Sequence, residues 1–176
     1  VAKVKVGSGA DDECGPVISK ANLERLIAQV KGAVSRGASL VAGGSAESAL
    51  APGYYMQPTV LENVSPTDEV SQTELFGPVT CLYRVKGFDD AIQLANGTQY
   101  GLTGAIHTAS LHRAQEFITR YQGGLVSING ATYGPGPHMP FGGVKNSGNG
   151  CPEPGTEALD VYTELKTVVI NHLPGK

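Results

Sequence analysis

At 176 residues, with 40% hydrophobic and 16% charged residues, the chain is long enough to bury a substantial core, as one domain or a large part of a bigger one. Its net charge of −3, with Lys and Arg scattered singly, offers no basic stripe to nucleic acid or to an anionic membrane. No apolar run approaches membrane-spanning length, and Val1 to Val6 is too short and polar for a signal peptide, so the expectation is a soluble, cytoplasmic protein. Cys14, Cys81 and Cys151 are odd in number and lack CxxC spacing, which argues against a disulfide framework and against a metal site. Asn63-Val64-Ser65 and Asn96-Gly97-Thr98 match the glycosylation pattern, a pattern short enough to arise by chance. The 24 glycines and 11 prolines concentrate between Gly123 and Gly155 and mark one loop system.

Val1 to Gly7 is a Val/Lys-rich run that stops at glycine. From Ser19, a suitable N-cap, Leu23, Ile27, Val30 and Val34 recur at helical spacing up to Gly37, a good C′ residue. Ser39 to Ala42 reads as a short strand, Gly43-Gly44 as a turn, and Tyr54 to Leu61 as a strand that Pro58 assigns to an edge or a bend. Strands at Val79 to Val85, Leu102 to His107 and Leu125 to Asn129 then alternate with helices at Phe88 to Asn96 and after Ser110, the latter with Ala114, Phe117, Ile118 and Tyr121 on one face. Strands and helices in alternation with short connections predict an α/β fold built on a mostly parallel open sheet with flanking helices. A short helix around Glu157 and a long alternating strand from Tyr162 to His172 close the chain. A terminal strand of that length is expected to pair with another sheet, including one in a second subunit.

Two stretches carry candidate chemistry. In Thr73-Glu74-Leu75-Phe76-Gly77-Pro78-Val79, a carboxylate and a ring two residues apart project to one side if the backbone is extended, an arrangement suited to a ligand with hydroxyls and a flat heterocycle. The plainer alternative is an exposed Glu beside a core Phe. The second stretch is the glycine-rich loop from Gly130 to Gly150, which follows directly from the strand Leu125 to Asn129. Met139 and Glu153 stand where dinucleotide fingerprints need a third glycine, and no GxxxxGK[ST] occurs, so phosphate binding is unsupported. Either the loop is a rigid frame from which Tyr133 and Phe141 wall an apolar pocket, or it is structural only. Cys151 with His138 is the one thiol–base pairing near the loop, with nothing to lower the thiol pKa, and a cysteine hydrolase is a third-rank reading.

Taken together, "YMQPTVLENV" (Tyr55 to Val64), "TELFGPV" (Thr73 to Val79), "YGLTGAIHT" (Tyr100 to Thr108), "GGLVSING" (Gly123 to Gly130), "PFGGVKNSGNG" (Pro140 to Gly150) and "YTELKTV" (Tyr162 to Val168) follow the order of motifs in the aldehyde dehydrogenase superfamily. The chain resembles the C-terminal part of an NAD(P)-dependent aldehyde dehydrogenase. The resemblance implies a partial catalytic domain over 1–161 and an oligomerisation strand and tail over 162–176. It implies a reaction in which a cysteine thiolate attacks an aldehyde, a nicotinamide takes up hydride, and a Glu-activated water releases the carboxylate. It implies cofactor contacts at Glu74, to ribose hydroxyls of NAD or NADP, and at Phe76, beside the nicotinamide, with substrate contacts at Asn129, Tyr133 and Phe141. Neither nucleophile nor general base matches any residue here, so no catalytic residue is expected in the chain, and in isolation it is expected to be inactive. Thr156 stands where many members carry a glutamate, which leaves no proton-relay role for Glu153 or Glu157. "PHMPFGGVKNSGNG" with "GTEALD" is more similar to members acting on small semialdehydes, and no arginine of the loop could bind a substrate carboxylate. The expected partners are a small aldehyde and further copies of the protein through Tyr162 to His172. The alternative class is a free-standing binding or structural module that kept the fold without the chemistry.

Overall fold

Ser19 starts the first helix by accepting a hydrogen bond from the Asn22 amide at 3.2 Å, and Gly37, at φ 109°, turns the chain out of it. In the computed structural model, which describes residues 1, 3–134 and 136–171, this helix is α1, Lys20–Ser35. Its buried stripe is Leu23, Leu26, Val30 and Ala33, one residue away from the expected stripe at two positions. Val34 is exposed and Ile27 half-buried, because Leu26 and Ala33 are the residues that meet the sheet below.

That sheet consists of β1 (Ser39–Ala42), β2 (Thr59–Glu62) and β3 (Val79–Leu82) in the order β1-β2-β3, with β1 antiparallel and β3 parallel to β2. Of the edge or bend that Pro58 predicts, the edge is not found, since β2 is the central strand. Pro58 stands just ahead of the strand, where no ladder donor is lost, and the Thr59 amide beyond it donates to the Pro78 carbonyl at 2.8 Å. Leu26, Val30, Met56, Leu61, Val64 and Val70 form the core between α1 and the sheet, with Leu75, Val79, Cys81 and Tyr83 packed at its margin. The short α2 (Glu69–Gln72) leads from β2 towards β3, and α3 (Phe88–Asn96) follows β3 and ends at Gly97. These elements belong to a compact unit, Val1–Thr98.

The second unit is Gln99–Lys176. The strand expected at Leu102 to His107 is β5 (Thr103–Ile106), and a further short strand that the sequence reading did not place, β4 (Tyr100–Gly101), stands just before it with a different partner. β5 runs parallel to β6 (Leu125–Ile128) across the helix α4 (Leu111–Arg120), while β4 is antiparallel to β7 (Val144–Lys145). Ser110 caps α4, Ala114 and Phe117 are its buried residues, and Tyr121 stacks on Phe117 at 5.0 Å while donating its hydroxyl to the Thr103 carbonyl. The α/β class thus holds, but the strands form separate small sheets: the parallel pairs are β2 with β3 and β5 with β6. Alternating strands and helices dictate parallel pairing without dictating which strands are neighbours.

The expected terminal strand is absent among the described residues. Tyr162 ends a short helix, α5 (Leu159–Tyr162), and 163–171 has no ladder partner, leaving Leu165, Val168, Val169 and Ile170 exposed. Alternating side chains cannot make a strand without a neighbour for the backbone. His172 lies outside the described residues. Among the described residues no helix is long and apolar enough to cross a membrane.

Candidate functional site

Behind the loop Thr73 to Pro78 stands a polar stripe on α1 made by Asn22, Arg25 and Gln29. Spacings of three and four residues set them on adjoining turns, beside the apolar stripe that enters the core. Arg25 donates to the Asn22 side-chain oxygen from Nε and Nη2, at 3.2 and 2.6 Å, and to Gln29 Oε1 at 3.0 Å. Its Nη2 also donates to the Leu75 carbonyl at 2.5 Å, and Asn22 Nδ2 donates to the Phe76 carbonyl at 3.1 Å. Two successive loop carbonyls are therefore held by one helix. Gln29 reaches on to Glu69 of α2 at 2.9 Å, and Arg36 grips Asp68, the cap of α2, through two bonds of 2.7 and 2.8 Å. The Arg36 hydrogen bonds pull the Asp68 carboxyl below its ordinary range, against an opposing effect of burial.

The grip on the backbone explains an unusual conformation. Phe76 has φ 55°, the left-handed region that a bulky side chain enters at a cost of about 1–3 kcal/mol. The extended backbone expected through Glu74 and Phe76 is thus broken at Phe76. Even so, Leu75 packs on the core while Glu74 and Phe76 on either side are exposed, the ring to 67%. Phe76 is not a core residue, which removes the plainer reading of this stretch. Gly77 completes the loop: a Cβ there would run into the Leu26 side chain.

In the second unit, glycines let backbones meet, as at Gly124, where any side chain would collide with the Gly142 carbonyl. The three expected substrate residues are not brought to one point. Tyr133 is 85% exposed and lines a cavity of about 210 Å³ together with Thr103, Gly104, Val126 and Met139. Phe141 is outside that cavity, 40% exposed, with its backbone doubly paired to Glu153 at 3.0 and 2.8 Å. Asn129, at φ 56°, spends both ends of its side chain on Thr108: Oδ1 accepts from the amide at 2.7 Å and Nδ2 donates to the carbonyl at 2.9 Å. It is a clamp at the end of β6, not a side chain held out to a ligand.

Burial pushes the Cys81 thiol up, Cys14 is half-buried, and Cys151 is exposed. No three His, Cys, Asp or Glu side chains among the described residues gather as a metal site. Sequence reasoning did not single out Asn22 and Arg25, whose signal was the polar stripe on an otherwise core-facing helix. It also did not anticipate an open cavity of about 700 Å³ in the first unit, lined by Ser71, Cys81, Tyr83, Val85, Ala91 and Leu94. There Tyr83 and Ser71 share a hydrogen bond, and burial raises the Tyr83 phenol pKa.

This is an α/β protein in which a loop held through two backbone carbonyls exposes a carboxylate and an aromatic residue. Residues 1–168 match the aldehyde dehydrogenase family, and the chain belongs to that family. It is 38% identical over 166 residues to an alpha-ketoglutarate semialdehyde dehydrogenase of Haloferax volcanii, covering 93% of this chain and 34% of that relative. A betaine aldehyde dehydrogenase of Rhizobium johnstonii is 38% identical over 173 residues, covering 96% and 35% respectively. Among solved structures, a Mycobacterium tuberculosis aldehyde dehydrogenase complexed with NAD+ superposes with a TM-score of 0.90 at 34% identity, over 97% of this chain and 35% of that one. The chain spans about a third of the length of the curated relatives it matches.

Proposed function

We propose that this chain is the C-terminal part of the catalytic region of an NAD(P)-dependent aldehyde dehydrogenase, with 1–161 in the catalytic domain and 162–176 as oligomerisation strand and tail. The whole protein oxidises a small aldehyde to its carboxylate. The observation that carries this reading is the loop Thr73 to Pro78, fixed through two backbone carbonyls while Glu74 and Phe76 remain exposed. An exposed carboxylate accepts from two ribose hydroxyls, and an exposed ring on an anchored backbone offers a flat face to a nicotinamide, so these residues fit the cofactor. The cofactor, when bound, supplies the hydride acceptor. Glu74 orients the ribose and Phe76 limits where the ring can lie. Tyr133 and Phe141 wall the approach of the aldehyde, and Asn129 acts there by holding the loop that follows β6.

The nucleophile and the general base come from outside this chain, so it is inactive in isolation. The raised Cys81 pKa supports that assignment for Cys81. A semialdehyde is the favoured substrate class, supported by the likeness to the Haloferax volcanii enzyme. The exposed apolar run Leu165 to Ile170 pairs with a second copy, and sedimentation that finds only monomer at micromolar concentration refutes this. The functional test is an aldehyde panel with both cofactors on the full-length gene product and on Glu74→Gln. The variant is expected to weaken NAD(P) use and slow hydride transfer while thiol acylation persists. Unchanged cofactor kinetics would remove the role given to Glu74.

A further inference from the structure

We propose that Asn149 is a site of spontaneous deamidation that alters the glycine-rich loop as the protein ages. The sequence contains three Asn-Gly dipeptides, at Asn96, Asn129 and Asn149. In such a pair the glycine nitrogen attacks the carboxamide carbon of the Asn, forming a new C–N bond. The bond from that carbon to the amide nitrogen Nδ2 breaks, and ammonia departs with the proton from the glycine amide. Water then opens the cyclic imide at either carbonyl, leaving aspartate or isoaspartate. The sum is amide plus water giving carboxylate and ammonium, without redox change.

The structure separates the three sites. At Asn96 the attacking Gly97 amide already donates to the Leu94 carbonyl at 3.0 Å. At Asn129 the leaving nitrogen donates to Thr108 at 2.9 Å, and the carbonyl oxygen is held by the same residue, so the carboxamide cannot turn towards Gly130. Asn149 is exposed, and the hydrogen bond it accepts assists the reaction: its Oδ1 takes the Cys151 N–H at 3.0 Å. That donor sits on the oxygen where negative charge develops during attack, as in an oxyanion hole. Gly150 has no side chain to obstruct the ring, and the space beside its Cα is open.

The product has a consequence at the proposed site. Asn149 lies within the loop closed by the double pairing of Phe141 with Glu153. Isoaspartate lengthens the main chain there by one methylene, and either product adds a negative charge. This functional arm rests on the reading of Phe141 as part of the aldehyde wall, whereas the modification does not.

The test is to age the full-length gene product in mildly alkaline buffer and map peptides by mass with isoaspartate-specific methylation. Conversion at Asn149 is expected to run at least about tenfold faster than at Asn96 or Asn129, equivalent to about 1.4 kcal/mol of barrier. Cys151→Pro, which removes the N–H donor, is expected to slow it. Equal or faster conversion at either other site, or none at Asn149, overturns the proposal. Ageing is expected to raise the aldehyde KM of the wild type and to spare Asn149→Gln, whose longer carboxamide arm cyclises poorly. Conversion at Asn149 with unchanged KM upholds the modification and overturns the role given to Phe141.

Discussion

Replacing Arg25 by Met retains a long side chain against the core but removes the donor to the Leu75 carbonyl. A hydrogen bond from a charged group contributes about 1.5–3 kcal/mol, similar to the roughly 1–3 kcal/mol that a left-handed aromatic residue costs. The clamp and the strain at Phe76 are thus balanced. Losing the clamp is expected to raise the population of relaxed loop conformers roughly ten- to a hundredfold. Nuclear magnetic resonance reads this directly: the Cα and carbonyl shifts of Leu75, Phe76 and Gly77 are expected to move from values set by the left-handed turn towards averaged values, while the amides of Leu26 and Val30 in α1 keep their hydrogen-exchange protection. In the full-length enzyme the same variant is expected to raise the cofactor KM. Phe76→Gly, which removes the left-handed penalty, should shrink the effect of Arg25→Met when the two are combined. Uniform loss of protection across α1 would show Arg25 to be a stabiliser of the whole unit. No change at Leu75 to Gly77 would refute the clamp itself.

Gly77→Ala drives a methyl into Leu26 and is expected to cost about 1–3 kcal/mol, read as a lowered Tm, with Gly15→Ala, where the space is open, as a control of small effect. Asp68 has a depressed carboxyl pKa, so between its folded value and the ordinary value of about 3.9 the unfolded chain binds more protons and stability rises with pH. The contribution is present above that window and lost as pH falls through the folded pKa. Acid titration of stability should therefore be shallower in Asp68→Asn, and an unchanged slope would show that the Arg36 pair does not couple to folding. Asn129→Ala loses both bonds to Thr108 and places alanine at a left-handed φ, so it is expected to destabilise by about 1–3 kcal/mol and to change aldehyde KM less than Tyr133→Ala does. A large KM change with unaltered stability would restore Asn129 as a direct substrate contact.

What could be read in the sequence divides along the range of the interactions involved. The Ser19 and Ser110 caps, the Gly37 stop and the α3 end at Gly97 act within a few residues, and each stands where the local pattern places it. The parallel pairing of β2 with β3 and β5 with β6 is non-local, and alternation alone merged these strands into one sheet. The segment from Tyr162 is without a ladder partner among the described residues for a related reason, since an alternating segment specifies a face but not its neighbour. Asn129 shows the same limit at a single residue: side-chain type announced a polar group at the end of a strand, but only the position of Thr108 showed that the group is already used.

The heptapeptide combines both kinds of information. That Glu74 and Phe76 are both exposed agrees with the local alternation, because Leu75 between them is the residue with somewhere apolar to go. The left-handed turn at Phe76 was not legible, because aromatic residues do not favour it and nothing local compels it. It follows from two carbonyls captured by Asn22 and Arg25, some fifty residues earlier in the sequence, and from a glycine required by Leu26. The strain at Phe76 is thus offset through its backbone and not through packing of the ring, so the fold fixes where the residue stands and leaves it largely exposed, as the cofactor contact proposed for it requires.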